Sequence, residues 1–74
     1  MANQASGTRD VTYDLISVAY HALQGAETAS TYIEDAENEG DQATADFFRR
    51  VQQQYREAAT QARALLGERV TQQR

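Results

Sequence analysis

The residues with the clearest potential for chemistry lie in HALQGAET, residues 21–28, which holds the single histidine of the chain, His21. Glu27 follows six positions later. Two ligands from one helix chelate a common ion when they are three or four positions apart, whereas a spacing of six separates them by about 120° around the helix. His21 and Glu27 therefore cannot form a site by themselves. We expect His21 at the polar boundary of its helix as a solvated or surface-bonded side chain, with a ligand role as the alternative.

Glu27 has a second possible environment. It falls on the same side of its predicted helix as Ile16, Tyr20, Leu23 and Glu34. In an assembled bundle Glu27 would be partly buried, and a buried carboxylate needs a cation, a proton or hydrogen-bond donors. The alternative is a glutamate that only flanks an interface.

Charge is divided unevenly along the chain. Residues 10–41 contain eight acidic residues and no lysine or arginine, whereas residues 42–74 contain six arginines and three acidic residues. This favours antiparallel neighbouring helices within and between chains, although each exposed ion pair contributes only about 0–1 kcal/mol. The formal net charge of -4 argues against nucleic-acid binding, which relies on a basic surface.

Other chemistry has little support in the sequence. Acidic residues crowd the region around Gly40, where we expect a solvated turn, with a cation-attracting or docking surface as the alternative. The serines and threonines lack a neighbouring histidine with an orienting acid, and no glycine-rich phosphate loop occurs. We therefore expect no catalytic residues, and the sequence favours a non-enzymatic role while leaving an enzymatic one open.

Length and composition limit the class of protein. The 74 residues allow one small domain, which seldom buries enough apolar surface to be stable alone. The absence of cysteine excludes disulfides and thiolate metal sites. No apolar run approaches the roughly 20 residues of a membrane span, and the first residues lack a hydrophobic signal segment. The expected location is the cytoplasm, without a membrane partner.

Two long helices joined by a short turn must position these residues. The segments on either side of Gly40 are rich in Ala, Gln, Glu and Arg. Gly40 can adopt the left-handed conformation that ends one helix, and Asp41 can cap the next. We predict an all-α antiparallel helical hairpin. Helix one is predicted at about 10–39 and helix two at about 41–71, and together they form the single domain 10–71. A flexible leader precedes it at residues 1–9, and a frayed tail follows at residues 72–74.

Apolar residues recur every three or four positions in both helices, which indicates amphipathic packing. Folding at Gly40 makes neighbours of residues whose numbers sum to about 80, and this pairs Gly25 with Tyr55. A glycine opposite a ring suits a close helix crossing. The predicted contact stripes are Val11, Leu15, Val18, Ala22, Ala26, Ala29, Ile33 and Ala36 in helix one, and Ala43, Phe47, Val51, Ala58, Ala62 and Leu65 in helix two.

The apolar surface is wider than one partner helix can cover. Large residues fall to one side of both stripes, and exposed apolar surface of this size normally marks an interface. We therefore predict that two hairpins form a homodimeric four-helix bundle, with larger even-numbered assemblies as an extension. The side residues are Ile16, Leu23, Phe48, Leu66 and Val70, and the predicted interface residues are Ile16, Leu23, Phe48, Tyr55 and Leu66.

A family resemblance covers residues 13–66, YDLISVAYHALQGAETASTYIEDAENEGDQATADFFRRVQQQYREAATQARALL. This stretch resembles the short two-helix members of the ferritin-like superfamily, of the rubrerythrin and encapsulated-ferritin type. The resemblance implies a hairpin that is half of a four-helix bundle completed by a second copy. It also implies a di-iron site, in which a glutamate of helix one joins a Glu-x-x-His motif of helix two. Glu27 matches the first ligand, but Glu57 is followed by Thr60 at the histidine position, so the motif is not intact.

Two functions follow as hypotheses. The first is a non-catalytic oligomerisation or protein-interaction module, whose partner is a second copy of the chain, with a larger protein as a further candidate partner. The alternative is a di-iron carboxylate protein for iron oxidation or storage, with Glu27 and Glu34 of both subunits as metal ligands at the interface.

Overall fold

The computed structural model describes residues 10–72 as two helices joined by a short turn. Helix α1 spans Val11–Asn38 and helix α2 spans Gln42–Gln72, and no strand occurs in this part of the chain. The all-α prediction is confirmed, and each predicted helix boundary lies within one residue of the observed one. Gln72, assigned to the tail, is the last residue of α2, while the predicted leader and residues 73–74 lie outside the described residues.

The turn has the predicted chemistry. Gly40 has a φ of 76°, and its N–H donates to the carbonyl oxygen of Glu37 at 2.9 Å. The N–H of Asp41 donates to the carbonyl oxygen of Ala36 at 2.9 Å, which completes a Schellman motif. Asp41 then caps α2, because its carboxylate accepts the hydroxyl of Thr44 at 2.7 Å and the N–H of Thr44 at 3.1 Å. These two hydrogen bonds lower the pKa of the Asp41 carboxyl, and the bond from the Thr44 hydroxyl is the larger cause.

The chain doubles back at this turn to form a helical hairpin. Contacts join the beginning of α1 to the end of α2, the middle of each helix to the other, and the end of α1 to the beginning of α2. The linking pairs are Thr12 with Arg69 (3.1 Å), Ser30 with Gln52 (2.9 Å), and Glu37 with Arg49.

The fully buried positions between the helices, which we call the alanine seam, are almost all alanines. Small side chains let two helices approach closely, and Gln52 bridges them in the middle. Its amide Nε2 donates to the carbonyl oxygen of Ala26 at 2.8 Å and to the hydroxyl of Ser30 at 2.9 Å. No large side chain of the described residues is fully buried. The buried residues are Ala19, Ala22, Ala26, Ala29 and Ala36 in α1, and Ala45, Gln52, Ala59 and Ala62 in α2.

The predicted stripe of α2 is wrong for its largest residues, although Ala62 of the same stripe is buried. Phe47 and Leu65 were expected to face α1, but they are 51% and 48% exposed. The physical reason is size: small residues permit the close contact between the helices, so Ala45 and Ala59 are buried at its centre, while the large residues lie at its edges or outside it. Val18 of α1 is likewise 49% exposed, and its neighbour Ala19 is buried instead.

The predicted pairing of Gly25 with Tyr55 is confirmed. A Cβ atom added to Gly25 would lie 2.9 Å from two atoms of the Tyr55 ring, closer than real side chains pack. The absence of a side chain at this position therefore makes room for the ring.

Neither helix contains, within the described residues, a segment both long and apolar enough to span a membrane.

Candidate interaction surface

One side of the hairpin presents large apolar residues from both helices. In α2, Phe47, Val51, Ala58 and Leu65 are separated by four, seven and seven positions, which keeps them within about 40° of each other. Phe47 and Leu65 are about half exposed, and Val51 is half-buried between them. They form an apolar stripe about 27 Å long, somewhat more than half the length of the 31-residue helix α2.

Helix α1 borders the same stripe. A shallow cleft is lined by Val18 and His21 of α1 and by Tyr55 and Ala58 of α2, which places these residues on one side of the hairpin. Tyr55 is 40% exposed, with its ring lying over Gly25. The cleft therefore connects the exposed apolar residues of the two helices.

An aromatic cluster extends this surface toward the turn. The ring centroids of Tyr32 and Phe48 are 5.6 Å apart, and those of Phe47 and Phe48 are 5.8 Å apart. The guanidinium of Arg50 lies 6.0 Å from the centroid of Phe47, within cation–π range. We call the exposed large residues of this side the aromatic face, which consists of Val18, Tyr32, Phe47, Tyr55 and Leu65.

The opposite side of the hairpin mixes apolar and charged residues. Leu23 follows Ala22 and lies about 160° around α1 from Gly25, so it points away from the ring of Tyr55. Ile16 likewise lies about 160° around α1 from Val18. Both are exposed. We call this side the charged face; it carries Ile16, Leu23, Glu27 and Glu34 from α1, and Arg49, Arg56 and Arg63 from α2.

The candidate metal ligands are exposed side chains of the charged face. Glu27 and Glu34 have no hydrogen bond or ion pair within the described part of the chain. His21 lies in the cleft on the other side, where its Nδ1 is 3.3 Å from the hydroxyl of Ser17. Across residues 10–72, no three histidine, aspartate or glutamate side chains lie close enough together to hold a metal ion. A site with these ligands would need residues from a second copy.

The position that departs from the Glu-x-x-His motif is polar and exposed. Glu57 accepts a hydrogen bond of 3.4 Å from the side chain of Gln53, and Thr60 lines the same shallow surface groove. Both residues are exposed. They lie on α2 away from the alanine seam, so neither faces α1.

The five predicted interface residues do not form one surface. Ile16 and Leu23 lie on the charged face, and Tyr55 lies on the aromatic face. Phe48 and Leu66 are half-buried toward the seam. The side chain of Val70, predicted to lie beside them, is outside the described residues.

The aromatic face includes residues that sequence reasoning assigned to the interior of the hairpin. Phe47, Leu65 and Val18 were recognised as a regular apolar stripe but were placed against the partner helix of the same chain. The alanines at 19, 45 and 59 were the available signal, because two stripes of small residues favour a close crossing with the large residues outside.

Comparison with protein-family models, with curated proteins and with solved structures gives no match to this chain. The surface itself must therefore carry the functional inference. Its exposed residues are mainly large apolar and aromatic side chains.

Proposed function

We propose that this protein is a self-associating module, an antiparallel helical hairpin whose copies complete a four-helix bundle of ferritin-like type. Self-association is its function at the molecular level, and a larger protein is a further candidate partner of the assembled bundle. The ferritin-like assignment is supported by the resemblance of residues 13–66 to the short two-helix members of that superfamily.

The observation that carries the proposal is the composition of the seam. Alanines contribute little apolar area, and in the described residues the buried set contains only alanines and Gln52. Complete burial of a Leu, Val or Phe side chain contributes roughly 1.5–3 kcal/mol. Phe47, Leu65 and Val18 each leave about half of their surface in water. A second hairpin would bury this exposed apolar surface. A small domain needs such additional burial because it seldom buries enough apolar surface to be stable alone.

Native mass spectrometry combined with sedimentation equilibrium tests self-association. We expect an even-numbered oligomer at micromolar concentration. We also expect a thermal midpoint that rises with protein concentration, because association stabilises only the folded state. A folded monomer whose midpoint does not change between 1 and roughly 100 μM would contradict the proposal.

A di-iron carboxylate protein is the second candidate. It is favoured by Glu27 and Glu34, two carboxylates without partners in the described residues and seven positions apart on one face. Two copies would supply four such carboxylates, a donor set suited to iron but lacking the family's histidines. Native mass spectra recorded before and after anaerobic Fe(II) addition test this candidate, and iron in a fixed ratio to dimers would support it.

A further inference from the structure

We infer that the second copy packs on the aromatic face, with both hairpin turns at the same end of the bundle. In this arrangement α1 of one copy lies against α2 of the other. The inference rests on the proposed self-association and adds to it the surface used and the relative orientation of the copies.

The choice of face follows from the charges. The centres of protein interfaces are poor in charged residues and rich in Tyr and Phe. The aromatic face has this composition, with Arg50 stacked on Phe47 near its edge. The charged face instead carries Arg56 and Arg63 from α2 and Glu27 and Glu34 from α1. Packing two copies on that face would remove these charged side chains from water, which is costly.

The orientation follows from the symmetry of two hairpins packed face to face. A two-fold axis along the helices places α1 over α2 of the other copy, with both turns at one end. A two-fold axis across the helices places α1 over α1, with the turns at opposite ends.

The net charges of the whole helices, rather than contacts within the aromatic face, select the first arrangement. Residues 10–41, which include α1, carry eight acidic residues and no lysine or arginine, so α1 over α1 would bring like charges together. Residues 42–74 carry six arginines against three acidic residues. The axis along the helices therefore gives every acidic helix two arginine-bearing neighbours, one from its own chain and one from the other copy.

A distance measurement between turns tests the orientation. The chain has no cysteine, so Asn38→Cys provides one site for a nitroxide label at the end of α1. With both turns at one end, the two labels should be roughly 10–25 Å apart, since neighbouring helix axes are 8–10 Å apart. With the turns at opposite ends, they would be about 40 Å apart or more, the length of a 28-residue helix. Gln24→Cys is the matched control, because a label in the middle of α1 gives a short distance in both arrangements.

Three exposed residues test the face. Phe47→Glu and Leu65→Glu place a charge on the aromatic face and should raise the dimer dissociation constant at least about 30-fold. Leu23→Glu is the matched control on the charged face, because Leu23 is 44% exposed, similar to the other two. It should change the dissociation constant less than about threefold. Circular dichroism confirms that each variant is helical.

The outcomes separate this inference from the proposed function. An unmodified chain that stays monomeric contradicts both and would leave the aromatic face to a different protein. A dimer with turn labels about 40 Å apart overturns the orientation alone. A dimer that Leu23→Glu dissociates and Phe47→Glu does not overturns the choice of face alone.

Discussion

Replacing Gly25 by alanine should destabilise the protein even though alanine is the better helix former. In an open helix interior the change from glycine to alanine stabilises by about 1 kcal/mol. At Gly25 the new Cβ would meet the Tyr55 ring at 2.9–3.0 Å, so the ring must swing outward or the helices must separate. Overpacking of this kind costs roughly 1–3 kcal/mol. Because Tyr55 is 40% exposed and can move, we expect a net loss of about 0–2 kcal/mol.

Gly67→Ala is the matched control for this substitution. Gly67 also lies within a helix, but a Cβ added there meets no atom within 4 Å, so the variant should gain up to about 1 kcal/mol. Urea denaturation at one protein concentration, followed by circular dichroism, should therefore separate the two variants by roughly 1–3 kcal/mol. In a Tyr55→Ala background, Gly25→Ala should become stabilising. If Gly25→Ala stabilises the protein as much as Gly67→Ala while Tyr55 is present, then Gly25 is not needed to make room for the Tyr55 ring.

Three further predictions concern other parts of the hairpin. Gln52→Glu should destabilise by roughly 2–3 kcal/mol at pH 7, because a carboxylate cannot donate to the carbonyl of Ala26, and urea denaturation at pH 4.5 should show partial recovery as the acid is protonated. Hydrogen bonds from Thr44 lower the pKa of Asp41, so their contribution is present above pH 4 and is lost as the pH falls through that lowered pKa. Acid unfolding should therefore be less steep in Asp41→Ala, and an unchanged acid transition would contradict the assignment of this cap. If iron binds, Glu27→Ala should abolish its uptake in native mass spectra and leave the oligomer intact, whereas retained iron would exclude Glu27 as a ligand.

The turn and the helix boundaries could be predicted from sequence because their causes are local. Gly40 is free to take a positive φ and Asp41 has a side chain of the right length to cap, whatever the rest of the chain does. The pairing of Gly25 with Tyr55 was also predictable, because it depends only on where the chain turns. The rotation of α2 was not predicted, because hydrophobicity alone ranks Phe47 above Ala45 and Ala59 as a core residue. The outcome depends on the distance between the helices, which the alanine seam sets.

The rotation of α2 gives the two candidate functions opposite requirements. Phe47 and Leu65 face outward, so the surface that we propose for a second copy lies on the side opposite Glu27 and Glu34. A di-iron site at the subunit interface needs those glutamates to face the other copy. A dimer formed through the aromatic face would leave all four glutamates on its outer surfaces. The glutamates of the two copies would then be too far apart to bind the same two iron ions. Self-association through the aromatic face and iron binding at the dimer interface therefore exclude each other, and identifying the buried face decides between them.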